Sequence, residues 1–253
     1  MLIIECWGGL IIALKNLFDS YKEFEEIMLK KKNDVELTPT LKLLSLGFTQ
    51  FKNDDIELIK LPGSKEDQQD MNLIERIVEN LDSGYGGGFV LRHILSELTY
   101  NIHEHAFEAN QKTQACLAIM EHLDEEKLEI SIRDCGLSIP GRFDKADVHY
   151  GDDCSAIEKA INNFSTASDN PYERGNGLWT TIRLIVEGNG GEVLIVSRGA
   201  VLYINEEKYE YKSLNDGKLF KGTLISIKLN RCEVQNIYDL IELPKNNFYR
   251  YGG

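Results

Sequence analysis

Three short stretches hold side chains whose types and spacing could do chemistry. The first is Glu97-Leu98-Thr99-Tyr100-Asn101-Ile102-His103-Glu104-His105-Ala106. On a helix turning about 100° per residue, Glu97, Asn101 and His105 fall within one narrow arc beside the apolar stripe of Leu91, Ile94, Leu98 and Ile102. A carboxylate, an amide and an imidazole then sit at the margin of a buried face. Zinc is a poor reading, because His103 and His105 are two apart and point away from each other on a helix. The second stretch is Asp134-Cys135-Gly136-Leu137-Ser138-Ile139-Pro140. It follows the alternating Leu128, Ile130 and Ile132, so a carboxylate stands where a strand runs out. The glycine beyond it lets a flat ligand approach the backbone and meet one fixed acceptor. The third is Arg174-Gly175-Asn176-Gly177-Leu178, with glycines immediately before a helix, where free N–H groups suit phosphate. No Gly-Lys-Ser/Thr follows, so it is not a Walker loop. Taken singly, each stretch also has a plain structural reading: polar boundary residues, a turn, a helix start.

The elements that must position these residues can be read from periodicity. The spacing predicts a helix over Phe89–Glu108, strands over Thr113–Leu123 and Lys127–Asp134, and a long irregular stretch from Gly136 to Gly177 that holds one helix, Asp152–Phe164. A helix over Gly177–Glu187 follows, then strands at Glu192–Ser197, Ala200–Ile204 and Thr223–Leu229, with a polar loop between the last two. Upstream, Gly9–Met28 and Thr38–Gly47 read as helices, the second with Thr38 as N-cap and Pro39 in its first turn. Ile56–Leu61 reads as a strand, Pro62–Asp70 as an exposed connection and Met71–Leu81 as a helix. A last helix is expected around Val234–Leu243. This order suggests an α+β sandwich with helices on one face of a mixed, mostly antiparallel sheet.

Together and in this order, the three stretches resemble the ATP-binding domain shared by DNA gyrase, Hsp90, histidine kinases and MutL proteins. The likeness covers residues 88–230. Glu97-x-x-x-Asn101-x-x-x-His105-Ala106 is similar to the family's asparagine box, Asp134-x-Gly136-x-x-Ile139-Pro140 to its first glycine box, Arg174-Gly175-x-Gly177-Leu178 to its second, and Gly222-Thr223 to its closing Gly-Thr. The resemblance implies a Bergerat fold that binds ATP and Mg²⁺ under a mobile lid, here within 141–173. By the same resemblance, Asn101 would hold the metal, an amide oxygen suiting that hard cation. Asp134 would accept the exocyclic amine of adenine, with Thr223 in support. Gly136 and Ile139 would lie against the base, and Gly175 and Gly177 under the phosphates, with His105 and Leu178 completing the nucleotide site. Arg174 would clamp the terminal phosphate and Glu97 would act as general base.

Among subfamilies, the chain most resembles the anti-sigma-factor serine kinases of bacterial partner-switching systems, whose asparagine box also continues into a small residue and an aromatic, here Ala106-Phe107. No histidine precedes His93, which argues against autophosphorylation on an upstream histidine, and the 23 residues after 230 are too few for a transducer domain. The expectation is therefore transfer of the ATP γ-phosphoryl group to a serine or threonine of a protein partner, an anti-sigma antagonist or sigma-type regulator. The alternative is a non-catalytic module that binds ATP or ADP and changes its affinity for a partner; a homodimer stays open. The chain departs from those kinases in a longer lid and in residues 1–86, where Leu37–Gly47 faintly resembles the last helix of STAS domains and ordinary helix packing explains it equally well. The division expected is 1–86, a smaller mainly helical region; 87–230, the ATP-binding domain; and 231–253, a tail.

Composition bounds the partners. With 28 basic against 41 acidic side chains, the formal charge is −13, which disfavours nucleic acid and anionic membrane surfaces. A single triphosphate is still compatible with that balance, because Mg²⁺, backbone amides and a few local cations can hold it. At 42% apolar and 27% charged residues, the chain can bury a sizeable core. Leu2–Leu14 is broken by Glu5 and Gly8-Gly9 and lacks the features of a secretory leader, so a cytoplasmic protein is expected. The five scattered cysteines, Cys6, Cys116, Cys135, Cys154 and Cys232, form no C-x-x-C pair and read as reduced.

Overall fold

Alternation along the strands decides the centre of the molecule. The structure, a computed structural model, describes residues 57–61, 68–106, 115–162, 177–214 and 219–241, with the backbone alone for 57–61, 68–71, 105 and 106. The helices expected at Gly9–Met28 and Thr38–Gly47 lie outside the described residues.

Strands β1 (Glu57–Leu61), β2 (Ala115–His122), β3 (Lys127–Asp134), β4 (Glu192–Arg198), β5 (Ala200–Ile204), β6 (Tyr209–Ser213) and β7 (Phe220–Asn230) form one seven-stranded sheet ordered β1-β2-β3-β7-β4-β5-β6. Leu117, Ile132, Ile225, Ile195 and Leu202 stand in register across five strands, and Ile119, Ile130, Ile227, Val193 and Ile204 form the next apolar row but one. Both rows pack into the core shared with the helices. The α+β class is as expected. The sheet was expected to be mixed, but every pairing among the described strands is antiparallel. The reason is that β7 returns between β3 and β4 and runs against both, while β2–β3, β4–β5 and β5–β6 are consecutive antiparallel pairs and β1 joins β2 antiparallel across the chain that carries the helices Gln68–Asn80 and Gly88–Asn101. The opposite face is closed too: Ala118, Leu194, Val196, Val201 and Leu224 are buried outside the helix-packed cluster. There Ser131 and Ser226 share a hydrogen bond, and His122 Nε2 lies 3.1 Å from Glu129 Oε2.

The helices are α1 (Gln68–Asn80), α2 (Gly88–Asn101), α3 (Ile139–Lys145), α4 (Asp153–Ile161), α5 (Gly177–Arg183) and α6 (Ile237–Ile241). Helix α2 buries Val90, Leu91, Ile94, Leu95 and Leu98 and packs against α1 and α5. It does not run to Glu108 as an α-helix. A π-helical turn, Ile102–Ala106, replaces its end, and another, Leu184–Gly188, continues α5. Two elements differ from the sequence expectation by their presence. Helix α3 occupies part of the stretch read as irregular: Ser138 caps it by accepting from Gly141 N at 3.0 Å, with Pro140 in the first turn. Strand β6 lies inside the expected polar loop, its Tyr209 and Tyr211 packed on the core.

The core also runs across residues 87 and 230. Strand β1 pairs with β2, and α1 buries Ile74, Ile77 and Val78 against the same cluster. Gly86 N donates to Cys232 O at 2.8 Å, and Val234 N returns to Gly86 O at 3.2 Å. Tyr85, fully buried, donates to Glu121 Oε1 at 2.7 Å, and burial lifts its hydroxyl to about 12. None of the described helices is long and apolar enough to cross a membrane.

Candidate functional site

Asp134 closes β3 on the helix-facing side of the sheet, in the same alternation as Leu128, Ile130 and Ile132. Only 4% of it is exposed, and burial pushes its carboxyl up to about 7, against the donors that hold its ionised form. Those donors are main-chain N–H groups, of Gly136 at 2.8 Å and of Thr223 from β7. Gly222 is what lets β7 come so close. It adopts φ +81°, and a Cβ there would overlap the Asp134 carbonyl oxygen and stand 2.8 Å from Asp134 Oδ1. The pairing with β4 slips at this point, Ser197 facing Thr223 but Arg198 facing Phe220, so the glycine sits in an irregularity of the ladder. Two motifs 88 residues apart, Asp134 and Gly222, thus meet backbone to backbone.

A hydroxyl row continues from the carboxylate. Thr223 Oγ1 lies 3.0 Å from Ser197 Oγ, which accepts the backbone N–H of Ile139 at 2.8 Å. Ser197 has no counterpart in the sequence reading. It ends an apolar strand, and nothing in its spacing ties it to Asp134; strand pairing alone brings it there. Ile139 starts α3 and divides its packing between the main core and the small cluster around Phe143.

A second group of the expected site residues lies where α2 approaches α5. Glu97 lies against Gly177, the first residue of α5, so closely that a Cβ there would overlap Glu97 Oε2. One turn earlier on α2, burial lowers the pKa of His93, while the Glu97 charge pulls the other way. Asn101 is half-buried at the end of α2, where the π turn begins; that turn touches α3. The wider i→i+5 turn breaks the α-helical phase after Asn101. The arc expected to unite Glu97, Asn101 and His105 therefore holds for the first two, and the side chain of His105 lies outside the described residues. So do Arg174, Gly175 and Asn176. Leu178 packs, partly buried, on the core, and Gly136 is half-buried next to Asp134.

A lid is expected within 141–173; of that span the structure describes 141–162, which holds most of α3 and all of α4. Phe143, Ala156, Ile157 and Ile161 are buried, and α4 packs on β5, β6 and α5. Arg198 ties the α3–α4 connection to the β4–β5 turn: its guanidinium binds Asp153 and Asp144 and donates to Tyr150 Oη at 2.6 Å, while Gly199 N donates to Asp153 Oδ2 at 2.8 Å.

Among the described residues, no group of three or more His, Cys, Asp or Glu side chains is arranged to hold a metal ion. Magnesium bound mainly through substrate phosphates and one amide oxygen, the role implied for Asn101, requires no such group. Against known proteins, the sequence matches no family model, and no curated protein matches it.

Proposed function

We propose that this protein binds ATP with Mg²⁺ in the manner of the histidine-kinase-like ATPases, on a Bergerat-type sandwich, and transfers the γ-phosphoryl group to a serine or threonine hydroxyl of a partner protein, as anti-sigma serine kinases do. The observation that carries the reading is the meeting of Asp134 with Gly222 and Thr223. A nearly buried carboxyl at a strand end, held by two main-chain donors and flanked by hydroxyls, is a costly arrangement for stability alone. Its remaining acceptor capacity suits an exocyclic amine of a flat heterocycle such as adenine.

The other assignments follow from that anchor. Asn101, at the break in α2, offers an amide oxygen of the kind a hard cation takes. Glu97, pressed on the start of α5, has no hydrogen bond or ion pair from another described residue, so its oxygens are available to a hydroxyl. In the reaction, the acceptor oxygen bonds to the γ-phosphorus, the bond from that phosphorus to the β–γ bridging oxygen breaks, ADP leaves, and the hydroxyl proton passes to Glu97. Arg174, Gly175 and His105 keep the phosphate-side and nucleotide-side roles that the resemblance implies. The partner is a cytoplasmic regulator of the anti-sigma antagonist or sigma type.

Calorimetric titration with MgATP tests the reading. Wild type should bind, and Asp134→Asn should lose binding by roughly 100-fold or more while its circular dichroism is unchanged, since one buried polar contact to a specific ligand group is worth that much or more. Unaltered affinity in Asp134→Asn would overturn the site. Binding without any phosphate release or partner labelling from γ-labelled ATP would leave the nucleotide-dependent binding module in place of the kinase.

A further inference from the structure

The resemblance puts Gly177 under the phosphates, yet in the structure the space its missing side chain leaves is taken by a carboxylate of this chain. A Cβ on Gly177 would overlap Glu97 Oε2 and stand 2.7 Å from Glu97 Cδ and 3.5 Å from Cγ. The neighbour met is thus the whole end of one side chain. Other close glycines have different reasons. At Gly191 and Gly222 a Cβ would strike main-chain carbonyl oxygens, and at Gly188 the apolar Val234 and Leu240. At Gly199 it would strike Asp153, which Arg198 and the Gly199 N–H already hold. Glu97 has no such holder among the described residues. Its carboxylate rests against Gly177.

We infer that Gly177 is a positioning residue for Glu97: the absence of a side chain at the start of α5 creates the seat in which the carboxylate rests, and so sets where the base meets the acceptor hydroxyl. The inference rests on the reading of Glu97 as base. An alanine at 177 meets only the far end of a flexible side chain, so the fold can accommodate it by turning Glu97 away. A base turned away by an ångström or more no longer reaches its proton, although nucleotide contacts elsewhere are kept. A glycine whose duty was to let phosphate approach its backbone would behave the other way round, losing nucleotide affinity when substituted.

The test uses the full chain with Gly177→Ala, Glu97→Gln, Glu97→Ala and the double variant Gly177→Ala/Glu97→Ala. With MgATP, Gly177→Ala should keep its Kd within about threefold of wild type and lose roughly 100-fold in kcat, as Glu97→Gln does. The double variant should be no slower than Glu97→Ala, since residues acting as a unit are non-additive. Melting without nucleotide gives an independent readout: Gly177→Ala should lower Tm in the wild-type background and leave it unchanged in the Glu97→Ala background, where the overlapping atoms are gone. Weakened ATP binding with normal kcat, or equal Tm losses in both backgrounds, overturns the inference. Coupled melting together with unchanged turnover leaves the seat in place and overturns the base assignment of Glu97 instead.

Discussion

At the strand end of the site, Asp134 is held by main chain. Gly136 and Thr223 donate backbone N–H groups to it, and Gly222 lies against its carbonyl in a conformation open to glycine. At the helix end, the carboxylate of Glu97 lies in the space Gly177 leaves at the head of α5. The first arrangement cannot shift without moving two central strands, whereas the second can shift by one rotamer. Under the proposed function, a ligand group read by the strand end meets a fixed acceptor, whereas the base at the helix end depends on its seat for its position.

The sharpest way to separate the two ends is pH. Asp134 titrates at about 7 in the folded protein against 3.8 in a free side chain, so the folded state binds its proton more tightly than the unfolded state. Its contribution is then fully favourable near pH 4 and below. It is lost as pH rises to about 7 and stays lost above, a difference of up to about 4 kcal/mol. Asp134→Asn should accordingly melt above the wild type at pH 8 and close to it at pH 4, while failing to bind ATP. A variant less stable than wild type at pH 8 would show that the carboxylate is not strained by its burial.

The glycines supply the next comparison. Gly222→Ala should cost roughly 3 kcal/mol or more, because both its φ and a backbone neighbour oppose a side chain. Gly177→Ala should cost less than about 1 kcal/mol, as a long side chain alone has to move. Equal losses in denaturant unfolding would erase the distinction between the two ends. A local structural effect is expected in the connection between α3 and α4. Arg198→Ala should cost about 1–2 kcal/mol by unpairing Asp144 and Asp153, and should speed hydrogen exchange in 146–153 while leaving β3 and β7 protected. Unchanged exchange there would mean that the buried side chains of α4, and not Arg198, hold the connection.

Much of the site's material was legible along the chain because helices and strands declare themselves by period. Lys127–Asp134 and Ala200–Ile204 have the bounds read from alternation, and α1, α2, α4 and α5 lie where apolar spacing puts them. Helix α3 escaped although Ser138 and Pro140 carry the same start signal that was read at Thr38 and Pro39, because it has few apolar residues to show a period. Strand β6 escaped because Tyr209-Glu210-Tyr211-Lys212-Ser213 alternates for only five residues in polar surroundings. The π turn after Asn101 has no periodic signature. It depends on how the end of α2 meets α3, and so the phase relating His105 to Asn101 could not be carried through it.

By itself, the order of residues determined which groups are candidates: a carboxylate where a strand runs out, an Asn and a Glu one turn apart on a helix, glycines before another. These are local properties, set by the geometry of single elements. Tertiary structure decided which candidates meet. Asp134 faces Gly222 and Thr223 because β7 returns between β3 and β4, Ser197 joins them through pairing with β7, and Glu97 reaches Gly177 because α2 packs on α5. Such contacts depend on strand order and helix crossing, which depend on how the whole core closes and are written in no single stretch of chain.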